Sequence, residues 1–107
     1  MTELAVDGDR LQRRLAELAA IGAIEGTTGC SRLALTDADR DGRDLVVTWM
    51  RDLGLDVSID GVGNVVGVLG SDSVAGAVLT GSHIDTVATG GRYDGNLGVL
   101  AGLEVIE

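Results

Sequence analysis

The spacing of apolar residues changes along this chain of 107 residues, and that change limits the folds open to it. In the first half, apolar side chains recur every three to four residues, as they do in amphipathic helices. After Gly54 they alternate with polar residues, as in strands with one covered face. A chain with both patterns packs helices against a sheet, so we expect an α/β layer architecture in one domain, residues 1–107.

Three helices are predicted from this spacing and from end signals. The first spans about Gly8 to Ala20. The second begins near Thr36, where a T-x-x-D pattern is typical of an N-terminal cap, and ends before Gly54. The last begins near Gly95. The second helix presents one apolar face, formed by Leu45, Val46, Trp49, Met50 and Leu53.

Three strands are predicted between the second and third helices. Residues 57–59 and 65–69 flank a turn at 61–64 and should form a hairpin. The run at 77–80 is small and largely apolar, which suits a strand covered on both faces. His83 follows just past the C-terminal end of this predicted strand. The predicted order of elements is ααββ-β-α.

Composition excludes several classes of function. The net charge is −9 and all eight basic residues are Arg, so a nucleic-acid partner is not expected. No apolar run reaches the roughly 18–20 residues of a membrane span. The N-terminal residues lack a signal-peptide core and there is one cysteine, so we expect a cytoplasmic protein without disulfides.

For three residues, the sequence leaves open whether the role is structural or functional. Cys30 has no histidine near it in sequence, which favours a buried cysteine over a catalytic thiol. Arg32 is either a solvated loop charge or an anchor beneath a site. Asn64 either shapes the turn or supports a site.

Chemistry-bearing residues concentrate in the last quarter of the chain. His83, the only histidine, stands two residues before Asp85, and a glycine-rich loop separates both from Asp94. Residues two apart in extended chain point to the same side, so this imidazole and carboxylate can meet. Imidazole and carboxylate are the ligands of two-metal hydrolase sites, in which a further acid fixes the imidazole tautomer.

The segment G-S-H-I-D-T-V-A-T-G-G-R-Y-D-G-N-L-G-V-L-A-G-L-E resembles the N-terminal metal-binding region of the hydantoinase/carbamoylase-type amidases. These include N-carbamoyl-L-amino-acid hydrolases, allantoate amidohydrolases and β-ureidopropionases. Three further segments extend the resemblance over nearly the whole chain: G-C-S-R-L-A-L-T-D-A-D-R-D-G-R-D, W-M-R-D-L-G-L-D-V and D-G-V-G-N-V-V-G. The implied fold is the N-terminal part of a dinuclear-zinc aminopeptidase/aminoacylase-like catalytic domain, with helices packed on a mixed, incomplete sheet.

The resemblance also implies a role for each site residue. His83 is a ligand of one metal, Asp94 bridges both metals, and Asp85 is the catalytic-site acid that orients His83. Two divalent ions, zinc or manganese, are implied, together with a cis peptide bond after Asp94 and a homodimer for a full-length enzyme. The catalytic Glu, the remaining ligands and the lid domain are expected beyond Glu107.

The expected activity is hydrolysis of a non-peptide carbon–nitrogen bond in an N-carbamoyl amino acid, allantoate or a related ureido acid. Because two ligands without a general base cannot complete the site, the isolated chain should be inactive. One alternative is a non-catalytic fragment or paralogue that acts as a small binding domain. Another is a metallopeptidase of the same superfamily.

Overall fold

The computed structural model describes residues 4–70 and 76–107, and these form three helices and one two-stranded sheet. None of the helices in these ranges is long and apolar enough to cross a bilayer. The predicted α/β character is confirmed, and the first helix has the predicted bounds. In chain order the elements are α1 Gly8–Ala20, α2 Asp37–Asp52, β1 Asp56–Ile59, β2 Val65–Val68 and α3 Asn96–Ile106.

Side-chain caps define where α1 and α2 begin. The Asp7 carboxylate accepts a hydrogen bond from the Arg10 amide at 3.0 Å. At α2, the Thr36 hydroxyl accepts from the Asp39 amide at 3.3 Å, and the Asp39 carboxylate accepts from the Leu35 amide at 3.0 Å. These bonds satisfy amides that have no partner inside the helix. The predicted T-x-x-D cap is therefore confirmed.

The hairpin is antiparallel, with register from Asp56 opposite Val68 to Ile59 opposite Val65. Its turn is organised by the Asp60 side chain. One carboxylate oxygen accepts from the amides of Val62 and Asn64 at 3.0 and 2.9 Å, and the other accepts from the Asn64 side-chain amide at 2.9 Å. These hydrogen bonds, the one from the Asn64 side chain foremost, lower the pKa of Asp60. Asn64 thus shapes the turn.

The core lies where α1, α2 and α3 meet beside the hairpin. Its fully buried side chains each contribute about 2 kcal/mol by leaving water. Trp49 and Met50 pack against them from α2 and are only partly buried. The predicted apolar face of the second helix therefore packs toward the core. The buried cluster consists of Leu15, Leu18, Val46, Leu55, Leu100 and Leu103.

A charged network joins α1 to α3. The buried Glu104 carboxylate accepts from Arg10 at 2.8 Å and from Arg14 at 3.0 Å, and also from the Asp7 amide at 3.2 Å. Glu107 lies 3.1 and 2.8 Å from the same two guanidinium groups. The Arg10 hydrogen bond is the largest cause of a lowered pKa at Glu104, and burial acts in the opposite direction. A buried carboxylate is stable here because it is fully paired.

The predicted third strand at residues 77–80 is wrong. This segment pairs with no strand in the described ranges, and Val78 and Leu79 are 101% and 88% exposed. A strand exists only where a neighbour takes up its amide and carbonyl groups. For the same reason the sheet is an antiparallel pair and not the mixed sheet that was expected.

Candidate metal centre

Glycines on one face of α3 let the preceding segment pack against the helix backbone. A Cβ on Gly98 would lie 2.8 Å from the Cβ of Ser82, and a Cβ on Gly102 would lie 3.0 Å from the Thr80 side chain. Positions 98 and 102 are one helical turn apart and share a face. The segment that leads to His83 therefore follows α3 at a distance that only glycine permits.

Gly95 brings His83 to the start of α3. Its φ of 74° lies in the left-handed region, and a Cβ there would be 2.5 Å from both the Nδ1 atom and the carbonyl oxygen of His83. No other residue fits without moving the imidazole. Asp94 directly precedes this contact and is solvent-exposed, so the structure brings His83 and Asp94 to the same end of α3.

The peptide bond between Asp94 and Gly95 is trans, so the expected cis bond is wrong. The positive φ of Gly95 makes the turn instead, and a residue without a Cβ adopts it with little strain. The helix starts immediately afterwards, at Asn96.

The His83 ring contacts both the main chain and the side chain of Asp85. Nδ1 lies 2.9 Å from the Asp85 main-chain oxygen and 3.3 Å from a carboxylate oxygen of Asp85. Both partners are acceptors, so we assign the proton of the neutral ring to Nδ1, which leaves the Nε2 lone pair free. The two side chains are 51% and 45% exposed. The predicted meeting of His83 and Asp85 is confirmed as a contact.

Arg32 has no exposed surface and lies beneath the loop that contains His83, Asp85 and Thr86. Its Nη1 donates to the carbonyls of Leu18 and Ile21 at 2.9 and 2.6 Å, which caps the end of α1. Its Nε donates to the Ile84 carbonyl at 2.9 Å. Nη1 also lies 3.3 Å from the sulfur of Cys30, which is itself fully buried. The solvated-charge interpretation of Arg32 is therefore excluded, and Cys30 has the burial of a structural cysteine.

Main-chain bonds fasten the loop to residues 30–32. The Thr86 amide donates to the Arg32 carbonyl at 2.7 Å, and the Arg32 amide donates to the Thr86 hydroxyl at 2.7 Å. Cys30 and Gly90 exchange two main-chain hydrogen bonds, at 2.8 and 2.9 Å. The sequence analysis missed Thr86, because a threonine in a loop carries no local signal that it pairs with a residue 54 positions away.

Asn96 is a second buried residue that the sequence analysis missed. It has no exposed surface, and its side-chain amide donates to the Arg92 carbonyl at 3.1 Å. This bond fixes the end of the glycine-rich loop just before Asp94. The available signal was a polar residue in the first turn of a helix whose next seven residues are all apolar or glycine.

Two residues at this end of α3, His83 and Asp94, carry donor atoms of the kinds found in divalent metal sites. An imidazole Nε2 and a carboxylate are ligands that zinc and manganese accept. Within residues 4–70 and 76–107, however, no group of three or more His, Cys, Asp or Glu side chains is arranged to hold a metal ion. Zinc is usually held by at least three protein ligands, so the described residues alone do not form a complete metal site.

Comparison with known proteins defines the class to which this fold belongs. A solved structure of a hydantoinase/carbamoylase family amidase from Burkholderia ambifaria superposes with a TM-score of 0.90 and is 55% identical, over 98% of this chain and 26% of its own. No protein-family model matches the chain.

Two curated relatives agree. An N-carbamoyl-L-amino acid amidohydrolase of Geobacillus stearothermophilus is 45% identical over 103 residues, which is 95% of this chain and 25% of the relative. An allantoate amidohydrolase of Bacillus subtilis is 47% identical over 76 residues, 70% of this chain and 18% of the relative. The chain belongs to the hydantoinase/carbamoylase amidase family, and it spans about a quarter of the length of the relatives that match it over most of its own length.

Proposed function

We propose that this chain contributes half of the metal site of an amidohydrolase that acts on N-carbamoyl amino acids, allantoate or related ureido acids. In this proposal His83 binds one divalent ion, zinc or manganese, and Asp94 bridges two such ions. Asp85 is a positioning residue for His83. The names of the curated relatives support the substrate class.

One observation supports this proposal more than any other. His83 Nδ1 is taken up by Asp85 at 2.9 and 3.3 Å, which leaves Nε2 as the free nitrogen of a half-exposed ring. Histidines that bind metals commonly have this arrangement, because a hydrogen bond on one nitrogen fixes the tautomer and makes the other nitrogen a better ligand. Asp94 directly precedes Gly95, whose Cβ position abuts the His83 ring, so the Asp94 backbone lies at the same end of α3.

Two ions held here would supply polarisation of the scissile carbonyl and activation of a water for attack. The residues of this chain contribute binding and orientation: His83 and Asp94 hold the ions, and Asp85 keeps the proton on Nδ1. Glu104, the buried glutamate of α3, is enclosed by Arg10 and Arg14 near the opposite end of the helix from His83, so it does not serve as a general base there. We therefore expect the isolated chain to bind metal weakly and to hydrolyse nothing.

The test begins with the intact mass of the native protein in its own cells. A mass well above 10.9 kDa identifies a longer enzyme, which is then purified and assayed on N-carbamoyl amino acids and allantoate. His83→Ala and Asp94→Asn should remove activity and lower the bound metal. Asp37→Asn, an exposed carboxylate on α2 with a side chain 93% exposed, is the matched control and should change neither.

Two results contradict the proposal. If His83→Ala and Asp94→Asn both retained the full metal content, neither residue would be a ligand. Metal-dependent hydrolysis by the purified 107-residue chain would show that the half-site interpretation is wrong.

A second candidate function, a small binding domain, is favoured by the apolar surface at Val78 and Leu79. These side chains lie on an extended segment that pairs with nothing in the described ranges. A native mass of 10.9 kDa together with a stable partner would favour this function over catalysis.

A further inference from the structure

The two peptide units on either side of the Asp85 Cα are both held by Arg32. The Ile84 carbonyl belongs to the first unit and accepts from Arg32 Nε at 2.9 Å. The Thr86 amide belongs to the second unit and donates to the Arg32 carbonyl at 2.7 Å. One residue therefore holds the backbone immediately before and immediately after Asp85.

Because the peptide unit is planar, fixing the Thr86 N–H also fixes the direction in which the Asp85 carbonyl points. The Asp85 oxygen and the Thr86 N–H belong to one rigid trans unit and point in opposite directions. Fixing that N–H on Arg32 aims the oxygen away from Arg32. In the structure this oxygen lies 2.9 Å from His83 Nδ1.

The Arg32 side chain is shielded from solvent. The residue has no exposed surface, and its amide is also bound, by the Thr86 hydroxyl at 2.7 Å. A buried guanidinium with directional donors holds its acceptors in one geometry, because leaving them unpaired in the interior is unfavourable. Arg32 thus binds the backbone on both sides of Asp85, and Asp85 in turn binds His83 Nδ1.

We propose that Arg32 is a positioning residue for His83: it fixes both peptide units around Asp85 and thereby holds the His83 ring in the Nδ1–H tautomer with Nε2 free. The consequence for metal binding rests on the proposed function, whereas the consequence for the tautomer does not. If Arg32 only stabilised the fold, replacing it would not be expected to change the His83 tautomer in chains that remain folded.

The experiment uses the imidazole nitrogen shifts of the chain without metal. Because His83 is the only histidine, its ¹⁵N signals are unambiguous at about pH 8.5, roughly two units above the ordinary histidine pKa. The wild type should show mainly Nδ1–H. Zinc is then titrated into the same samples, with the His83 Cε1–H signal as the measure of binding.

Four variants separate positioning from stability. Arg32→Lys keeps a cation near the carbonyls at the end of α1 but has no donor in the place of Nε, so Ile84 is released. Thr86→Val removes the hydroxyl with little change of shape, and Thr86→Ser restores it. Glu104→Gln weakens the fold through the distant α1–α3 network and is the stability control.

We expect Arg32→Lys and Thr86→Val to raise the Nε2–H fraction about 3-fold or more, as the loss of a hydrogen bond implies. Zinc affinity should fall about 10-fold, the usual effect of losing a group that orients a ligand. Thr86→Ser and Glu104→Gln should match the wild type in both. If Arg32→Lys does not fold, Thr86→Val and Thr86→Ser decide.

Three results would overturn the inference. They are a wild type that is mainly Nε2–H, folded Arg32→Lys and Thr86→Val chains with unchanged tautomer, or a Glu104→Gln chain that shifts the tautomer equally. A wild type that binds no zinc, or binds it as well after His83→Ala, contradicts the metal role of His83, while the tautomer data still decide the role of Arg32.

Discussion

Gly95→Ala tests whether the start of α3 positions His83. Alanine at this position meets two separate obstacles. Its backbone must keep a φ of 74°, and its Cβ would lie 2.5 Å from His83 Nδ1. Ordinary contact begins at about 3.5 Å, so the ring must move by about 1 Å.

The two obstacles have separate magnitudes. A left-handed conformation destabilises a residue with a Cβ by about 1–2 kcal/mol. Forcing an extra carbon into a filled space adds about 1–3 kcal/mol. The free energy of unfolding should therefore fall by about 2–5 kcal/mol in Gly95→Ala. Displacing the ring by about 1 Å far exceeds the roughly 0.2 Å tolerance of metal–ligand distances, so zinc binding should be lost as well.

Gly54→Ala is the matched control, because Gly54 has a φ of 81° but nothing within 4 Å of its Cβ position. It isolates the backbone contribution and should lose only about 1–2 kcal/mol. Urea denaturation followed by circular dichroism measures both variants, and the His83 Cε1–H shift reports the ring. Equal losses in the two variants, with an unmoved His83 signal in Gly95→Ala, would refute the contact between Gly95 and His83.

Three further outcomes follow from the charged groups. Glu104→Gln should lower the free energy of unfolding by about 3 kcal/mol in urea, because Arg10 and Arg14 lose their buried partner; an unchanged midpoint would contradict this. Since the pKa of Glu104 is lowered from 4.5, its stabilisation is complete above that pH and is lost as pH falls through the folded value. Acid titration of stability should thus be shallower in Glu104→Gln than in wild type. Asp60→Ala should speed amide exchange at Val62 and Asn64, measured by NMR, and unchanged exchange would exclude the turn role of Asp60.

Local signals in the sequence account for much of the fold. The spacing of Leu11, Leu15 and Leu18 predicts α1, and the T-x-x-D pattern at Thr36 predicts the start of α2. The two strands of the hairpin are joined by a short turn, so the residues that pair are also close in sequence. These elements could be predicted because the interactions that define their ends lie within a few residues.

The parts that could not be predicted depend on distant residues. The segment at 77–80 has the composition of a strand, but composition does not supply the neighbour that a strand requires. Arg10 pairs with Glu104 across 94 positions, and Arg32 pairs with Thr86 across 54. Neither pairing has a signal in one sequence, so the sequence alone is compatible with both a solvated and a buried Arg32.

The surroundings of His83 and the exposed segment at 78–79 differ in the contacts that the described residues give them. Asp85 contacts the His83 ring, Arg32 binds the peptide units on either side of Asp85, and a Cβ on Gly95 would meet the same ring. Val78 and Leu79, only a few residues earlier, gain no such support from the described residues. The described residues therefore supply contacts to the His83 ring but no neighbour for Val78 and Leu79. Under the proposed function, a segment of about a quarter of the relatives' length would hold this imidazole in one orientation before the ions bind.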